Sequence, residues 1–353
     1  MKLHSALLAL TLTAPLVCAE EKVVGGPFVV NATNRGATVG WVVETGEVRV
    51  NAVRSVPVLA SRHISMMGLK AGETVKYSLP NGAEGSFKVP ATGAASFQAV
   101  VFGDTRTRHD LHRKIIEAIT KVSPDFVAHT GDLVTDGYDT EQWPRFFEIE
   151  KPMLEKTAFY PALGNHERNS RHFYDFFAVT TPYYSFDWGL AHFTVINTDL
   201  GNVALSATAK EAFWAEQNRW MEDDLAKSQK AEFRFIIMHH PPFTAVKSRQ
   251  AGNQAVVALL PLWEKYRVTA TFAGHDHNYQ HHLKNGIHHI VTGGGGAPLY
   301  PVDAPIEGTT QKVESTEHYV RLMVEPGKAK IQAVALDGRI LDTFDLAAAP
   351  AAK

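Results

Sequence analysis

Cysteine is almost absent from this sequence. Of 353 residues only Cys18 is one, and it sits in the amino-terminal apolar stretch. Once that stretch is cleaved the chain can form no disulfide and offers a metal no thiolate. Any metal it holds is then held by His, Asp, Glu or Asn. Charge of one sign is missing too: 35 Lys and Arg stand against 37 Asp and Glu, for a net charge of −2 and a pI near 6.8. No general basic field exists to hold nucleic acid or an anionic membrane. A long apolar run is the third absence. The stretch Ala6 to Val17 is broken by threonines and a proline and is too short to span a bilayer as a stable helix, so no transmembrane segment is expected. There is no internal repeat either.

What the first residues do carry is Lys2, that apolar run, and Val17-Cys18-Ala19 ahead of Glu20-Glu21. This reads as a secretory signal over 1–19 with a small-residue cleavage site. Pro15-Leu16-Val17 fits a lipobox poorly, so plain cleavage is expected rather than lipid anchoring at Cys18. The mature chain is expected to be secreted or periplasmic.

The remainder has the 45% hydrophobic and 20% charged content of a globular protein. Residues 22–94 alternate short β-type runs with turn residues, which predicts a small β-sandwich. Within them "GLKAGETVKYSL", with Leu69 and Tyr77, resembles the corner before a late strand of fibronectin type III-like domains. "ATGAA" at 91–95 reads as a linker. From 97 to 346 apolar strands alternate with helical stretches near 111–121, 141–156, 210–228 and 255–266, the pattern of a layered α/β domain. Turns at Pro326-Gly327 and Asp337-Gly338 divide the tail into three strands.

The strand ends share a chemistry. Apolar runs finish in Gly103-Asp104, Gly131-Asp132, Gly164-Asn165-His166-Glu167, His239-His240-Pro241 and Gly274-His275-Asp276-His277. One Gly-Asp is usually only a turn. Five ligand-type ends in one chain point to a shared site, because the carboxyl edge of an open α/β sheet is where loops from many strands converge. Carboxylates, an amide oxygen and imidazoles suit Zn, Mn or Fe. Two such ions sharing one carboxylate can activate a bridging hydroxide for in-line attack on phosphorus.

The order GD…GD…GNHE…HH…GHxH over 97–300 resembles the calcineurin-like metallophosphoesterase superfamily. The front β region, "GHDHNYQ" at 274–280 and "NGIHHIVTGGGGAPLY" at 285–300 are most similar to its purple acid phosphatase branch. The resemblance implies a fibronectin type III-like front domain followed by a four-layer αββα domain. It also implies two divalent or trivalent metal ions. Asp132 matches the bridging carboxylate, and Asp104 and His277 match ligands of the first metal. Asn165, His239 and His275 match those of the second, with His239 preferred to His240 on the His-x-Pro spacing. His166 matches a phosphate-contacting histidine that protonates the leaving oxygen. The implied activity is a phosphomonoesterase acting on a phosphorylated small molecule or other phosphoester, with a phosphodiesterase or nucleotidase, or a non-catalytic metal-binding module, as alternatives.

Two departures stand out. Family members carry His two residues after the first Asp, where this chain has Arg106; the purple branch carries Tyr three residues after the bridging Asp, where this chain has Thr135. The first metal's fourth ligand is therefore open among His109, His112, Thr135, Tyr138 and water. Arg106 stays protonated and cannot ligate. It is expected either to hold substrate phosphate in a bidentate grip or to pair with a carboxylate. His281 and His282 are either substrate contacts, or surface residues or residues that support the metal ligands from behind, His288 and His289 structural, and His129 a hydrogen-bonding neighbour of the site. The run Gly293 to Gly296 lacks the Lys-Ser/Thr of a P-loop and reads as a tight turn.

Overall fold

A computed structural model describes residues 21–250 and 253–348. The signal expected over 1–19, with Cys18, lies outside the described residues.

The front region is β-structure as expected: β1 (Lys22–Thr33), β2 (Gly36–Arg49), β3 (Ser55–Met67) and the hairpin of β4 (Thr74–Ser78) with β5 (Glu84–Lys88). It is not free-standing. After it come β6 (Phe97–Phe102), β7 (Phe126–His129) and β8 (Ala158–Pro161), and β1 lies beside β8, pairing Val29 with Ala158 in parallel. The reason lies in β1, whose Phe28 stacks on Phe147 at 5.0 Å while Val29 enters the core on the opposite face. A strand apolar on both faces needs covering on both. The predicted corner is different as well, since the Tyr77 hydroxyl donates to the Glu155 carbonyl at 3.1 Å and ties β4 to the neighbouring layer.

The tail supplies β16 (His318–Glu325), β17 (Lys328–Ala335) and β18 (Ile340–Ala347) after a second group of strands: β9 (Tyr184–Trp188), β10 (Ala191–Val195), β11 (Phe233–Ile237), β12 (Ala270–Ala273), β13 (Tyr279–Lys284), β14 (Ile287–Thr292) and β15 (Thr310–Glu314). One sheet runs β18-β17-β16-β6-β7-β8-β1-β2-β3 and the other β15-β13-β14-β12-β11-β10-β9. The sheets face one another. Phe97, Ala99 and Val101 of β6 point into the intersheet core with Phe233, Phe235 and Ile237 of β11, while Val100 and Phe102 point outward to helices. Alternation with a period of two thus puts one face of each central strand in each layer.

The outer layers are α1 (His109–Val122), α2 (Gln142–Leu154) and α3 (Arg171–Phe177) on the nine-stranded sheet, and α4 (Ala207–Lys227), α5 (Gln254–Val257) and α6 (Leu260–Lys265) on the other. This is the αββα order. Each fully buried aromatic such as Phe126 contributes roughly 1.5–3 kcal/mol. The Ser206 side chain caps α4 by accepting the Ala209 N–H at 3.2 Å. The single helix predicted over 255–266 is two, because Pro261 brings no N–H and starts a new first turn.

Candidate metal centre

β6, β7 and β8 run parallel in one sheet and β10, β11 and β12 run parallel in the other. All five ligand-bearing loops therefore leave from carboxyl ends at one edge of the two-sheet stack. Three of the residues there have left-handed backbones: Asp104 at φ 62°, Asp132 at 59° and His275 at 68°. For residues with a Cβ that conformation costs roughly 1–2 kcal/mol each, and strain of this kind concentrates where side chains have to be aimed. Each follows a glycine. A Cβ on Gly274 would overlap Asp104 Oδ2, and one on Gly131 would fall 2.8 Å from His239 Nδ1.

One half of the centre is a close set of acceptors. His239 Nδ1 donates to the Thr130 carbonyl at 2.8 Å, which leaves Nε2 facing Asn165 Oδ1 at 3.0 Å and Asp132 Oδ1 at 3.3 Å. His275 Nδ1 lies 3.0 Å from the same Asn165 oxygen and 3.3 Å from His239 Nε2. Lone pairs this close repel unless a proton or a cation sits among them. A metal bound at about 2.0–2.1 Å in tetrahedral fashion separates its donors by about 3.3–3.4 Å, so this half fits one. His240 lies beside it, its ring centroid 4.2 Å from that of His275, with Thr198 Oγ1 3.1 Å from its Nδ1. Burial pushes the His275 and His240 imidazoles far down, helped by the neighbouring histidines, and keeps them neutral. Burial acts the same way on His239, but Asp132 and Asp104 outweigh it and raise that group.

The other half brings together Asp104, Asp132 and His277, all buried. His277 Nδ1 donates to the Pro298 carbonyl at 2.7 Å, leaving Nε2 at 3.3 Å from Asp104 Oδ1, and the Tyr300 ring stacks on the imidazole at 4.3 Å. Asp104 also receives the His275 N–H. This half fits a metal less well. It offers three donors, and Arg106 reaches into it with Nε 3.4 Å from Asp132 Oδ2.

None of the four side chains named as a possible fourth ligand joins it. His112 is buried between helices with Nε2 2.6 Å from Glu150 Oε1, and burial pushes the Glu150 carboxyl up. His109 is exposed at the start of α1 and lines a cavity of about 490 Å³ with Arg106, Thr135 and Arg145. Thr135 Oγ1 donates to the Arg106 carbonyl at 2.9 Å. Tyr138 points outward beneath the Arg168 guanidinium.

His166 Nδ1 donates to the Thr135 carbonyl at 2.7 Å, and its half-exposed Nε2 faces Asp132 Oδ2 at 3.9 Å. His281 and His282 are in β13, away from the centre: His281 bridges Asp342 and His288, and His282 meets Thr310 and Gln280. His289 lies inside the other face of β14 on Thr271. His129 Nδ1 accepts the Gly131 N–H at 3.1 Å. Gly295 N donates to the Gly103 carbonyl, so the glycine run is a close-approach turn, as expected.

Sequence reasoning gave no role to three residues at the centre. Glu167, visible in GNHE, is fully buried and accepts the N–H groups of Gly164, Asp132, Leu133 and Val134. Burial and then the Asp132 charge push its carboxyl up, against the backbone N–H groups of Gly164 and Asp132, which hold it down. Asp199 lies beside the centre, raised by burial and held by Asn202. Arg249 donates to the His275 carbonyl and Asp276, lies over the Tyr300 ring, and lines a second cavity of about 480 Å³ with His240 and His275. No local pattern marks Arg249 or Asp199.

The calcineurin-like phosphoesterase family profile matches residues 97–279. Over 299 residues the chain is 29% identical to the probable inactive purple acid phosphatase 1 of Arabidopsis thaliana, covering 64% of this chain and 46% of that protein. It is 27% identical over 221 residues to a nucleotide pyrophosphatase/phosphodiesterase of Hordeum vulgare, covering 50% and 58%. The chain spans about half or less of the length of the first curated relatives it matches. Among solved structures, purple acid phosphatase PPD1 from yellow lupin (Lupinus luteus) seeds has the same fold, with a TM-score of 0.70 at 18% identity over 91% of this chain and 74% of that one. PhoD follows with 0.63 at 12%, over 91% and 88%.

Proposed function

The chain belongs to the calcineurin-like phosphoesterase family, and from that premise we propose that it is an exported, metal-dependent hydrolase of phosphoric monoesters. The observation that carries the reading is the acceptor cluster of Asn165, His239, His275 and Asp132, which only a proton or a cation reconciles. Asp104 and His277 extend it beyond Asp132. A metal held there supplies Lewis acidity toward a phosphoryl oxygen and toward water.

The chain's own residues supply the rest. His166 Nε2 is free, half-exposed and on the Asp132 side of the centre, the place for a group that gives a proton to the departing alkoxide. Its Nδ1 bond to Thr135 fixes the ring so that Nε2 is the atom that carries and returns the proton. Glu167 holds the Asp132 and Asn165 loops together, so both donors are set before substrate arrives. The cavities beside Arg106 and His240 leave room for a small phosphorylated molecule on either side.

Chelation followed by reloading with Zn²⁺ or Mn²⁺, with parallel assays of p-nitrophenyl phosphate and bis(p-nitrophenyl) phosphate, tests the proposal. Faster monoester turnover that disappears on chelation is expected. Faster diester turnover transfers the reading to a phosphodiesterase. Turnover of neither, with metal bound, makes the protein a non-catalytic metal-binding module, a reading favoured by the three-donor half of the centre. Export rests on the signal over 1–19, and the secreted or periplasmic protein is expected to begin at Glu20.

A further inference from the structure

The two halves of the centre differ in donors and in charge. Asn165, His239, His275 and Asp132 form a four-donor set with neighbouring donor atoms 3.0–3.3 Å apart, which Arg106 meets only at the outer oxygen of Asp132, Oδ2, while Arg249 turns to the His275 carbonyl and Asp276. Asp104, Asp132 and His277 form a three-donor set with a guanidinium at its edge. Resting on the reading that this cluster is a metal centre, we propose that the chain holds one metal ion, in the four-donor half, and that Arg106 takes the place of a second.

Arg106 is placed to do this by more than proximity. Its Nε is buried and makes no hydrogen bond, so no other acceptor competes with Asp132 Oδ2 for it. Its carbonyl is clamped by Thr135 Oγ1. That bond holds the backbone of the loop that aims the guanidinium at Asp132. The neighbouring turn is anchored too, since Arg108 donates to the Gly296 and Ala297 carbonyls and pairs with Glu317 at 3.0 Å. A guanidinium stays charged at any working pH.

A dication among Asp104, Asp132 and His277 would have to share Asp132 with that charge in a buried place, where like charges are weakly screened. Two carboxylates balance a single dication. With Arg106 present, a second dication would leave three uncompensated positive charges. The bridging position of Asp132 survives in this arrangement, with a metal on Oδ1 and a guanidinium on Oδ2.

The test counts metal, and does not depend on turnover. The full chain, stripped by chelation, is titrated with Zn²⁺ and separately with Mn²⁺, and bound metal per chain is measured after gel filtration. One equivalent is expected for the wild type, with the six-line electron paramagnetic resonance of an isolated Mn²⁺. Arg106→His exchanges the fixed charge for a ligand and is expected to take up two equivalents, with the spectrum of a coupled pair. Arg106→Gln removes only the charge and is expected to gain a weaker second equivalent, which keeps the test alive should the histidine variant fold poorly. Asn165→Ala should lose the wild-type equivalent and His277→Ala keep it. Two equivalents in the wild type, one in both Arg106 variants, or loss in His277→Ala with retention in Asn165→Ala overturns the inference. A wild type that binds no metal overturns the metal-centre reading itself.

Discussion

Glu167 Oε2 accepts the backbone N–H of Asp132 at 2.9 Å and that of Gly164 at 2.7 Å, so one buried carboxylate oxygen joins two of the loops that carry ligand-type side chains. Its other oxygen takes the N–H groups of Leu133 and Val134. Removing it leaves up to four buried donors without an acceptor. Glu167→Ala is therefore expected to lower the stability of the metal-free protein by about 2–4 kcal/mol. Glu167→Gln retains one acceptor oxygen and should lose about half as much. Urea unfolding in chelator measures both, and a loss below about 0.5 kcal/mol for the alanine variant would show that the carboxylate does not organise these loops.

Asp132 is the residue both halves of the centre use, through Oδ1 toward His239 and Oδ2 toward Arg106. Asp132→Asn keeps the shape and removes the charge. If the proposed metal centre and hydrolase activity hold, loss of most bound metal is expected, together with a fall in phosphomonoester turnover of at least about 100-fold. The left-handed φ of 59° is tolerated by Asn, so the melting temperature of the metal-free variant should stay close to that of the wild type. Normal turnover in this variant would remove Asp132 from the chemistry.

The strands and motif ends of this site could be read from sequence because they are local. A run such as Phe97–Phe102 declares its buried strand, and Gly103-Asp104 declares its end. Relations across the chain were not legible. β13 escaped notice because Gln280, His281 and His282 are polar, although each is buried against partners distant in sequence. The front strands read as a separate unit because what covers β1 comes from far along the chain, such as Phe147, 119 positions from Phe28, and Ala158 beside Val29. At position 106 the sequence shows a ligand missing and leaves Arg106 to grip phosphate or to pair with a carboxylate; that the carboxylate is Asp132 depends on how two loops approach each other. His112 looked like a ligand candidate until helix packing turned it toward Glu150.

His166 offers a prediction that separates proton donation from simple binding. Its Nε2 faces the centre while Nδ1 is tied to Thr135. A general acid matters most when the leaving alkoxide is basic. His166→Gln should then slow hydrolysis of an alkyl phosphate by roughly 10²–10⁴-fold, and that of p-nitrophenyl phosphate by about tenfold or less. Equal slowing of the two would assign His166 to phosphate binding.

His192 gives the fold a pH dependence of its own, away from the metal centre. Its Nδ1 lies 2.7 Å from Asp187 Oδ1 on β9 and its Nε2 2.9 Å from Asp224 Oδ2 on α4, so the imidazole ties that helix to the sheet. Burial works to lower this imidazole, but the hydrogen bonds to Asp187 and Asp224 outweigh it and raise the group from 6.5 to about 9. Its folded value thus lies above the unfolded one, so its contribution is complete below pH 6.5 and is lost as pH rises through about 9. Asp224 is shifted the other way. Burial opposes its ionisation, yet hydrogen bonds from His192, Ser185 and Thr194 hold it below 3.8, and its contribution is lost only as pH falls under that value. The pair is at full strength between about pH 4 and pH 6.5 and declines toward pH 9. The shift corresponds to a ceiling of about 3 kcal/mol, reduced to roughly 1–2 kcal/mol because Asp187 is largely in solvent. His192→Gln should consequently cost that much more stability at pH 6 than at pH 9.5, measured by urea unfolding in chelator. A cost that is the same at both pH values would mean that His192 is held in place without its charge.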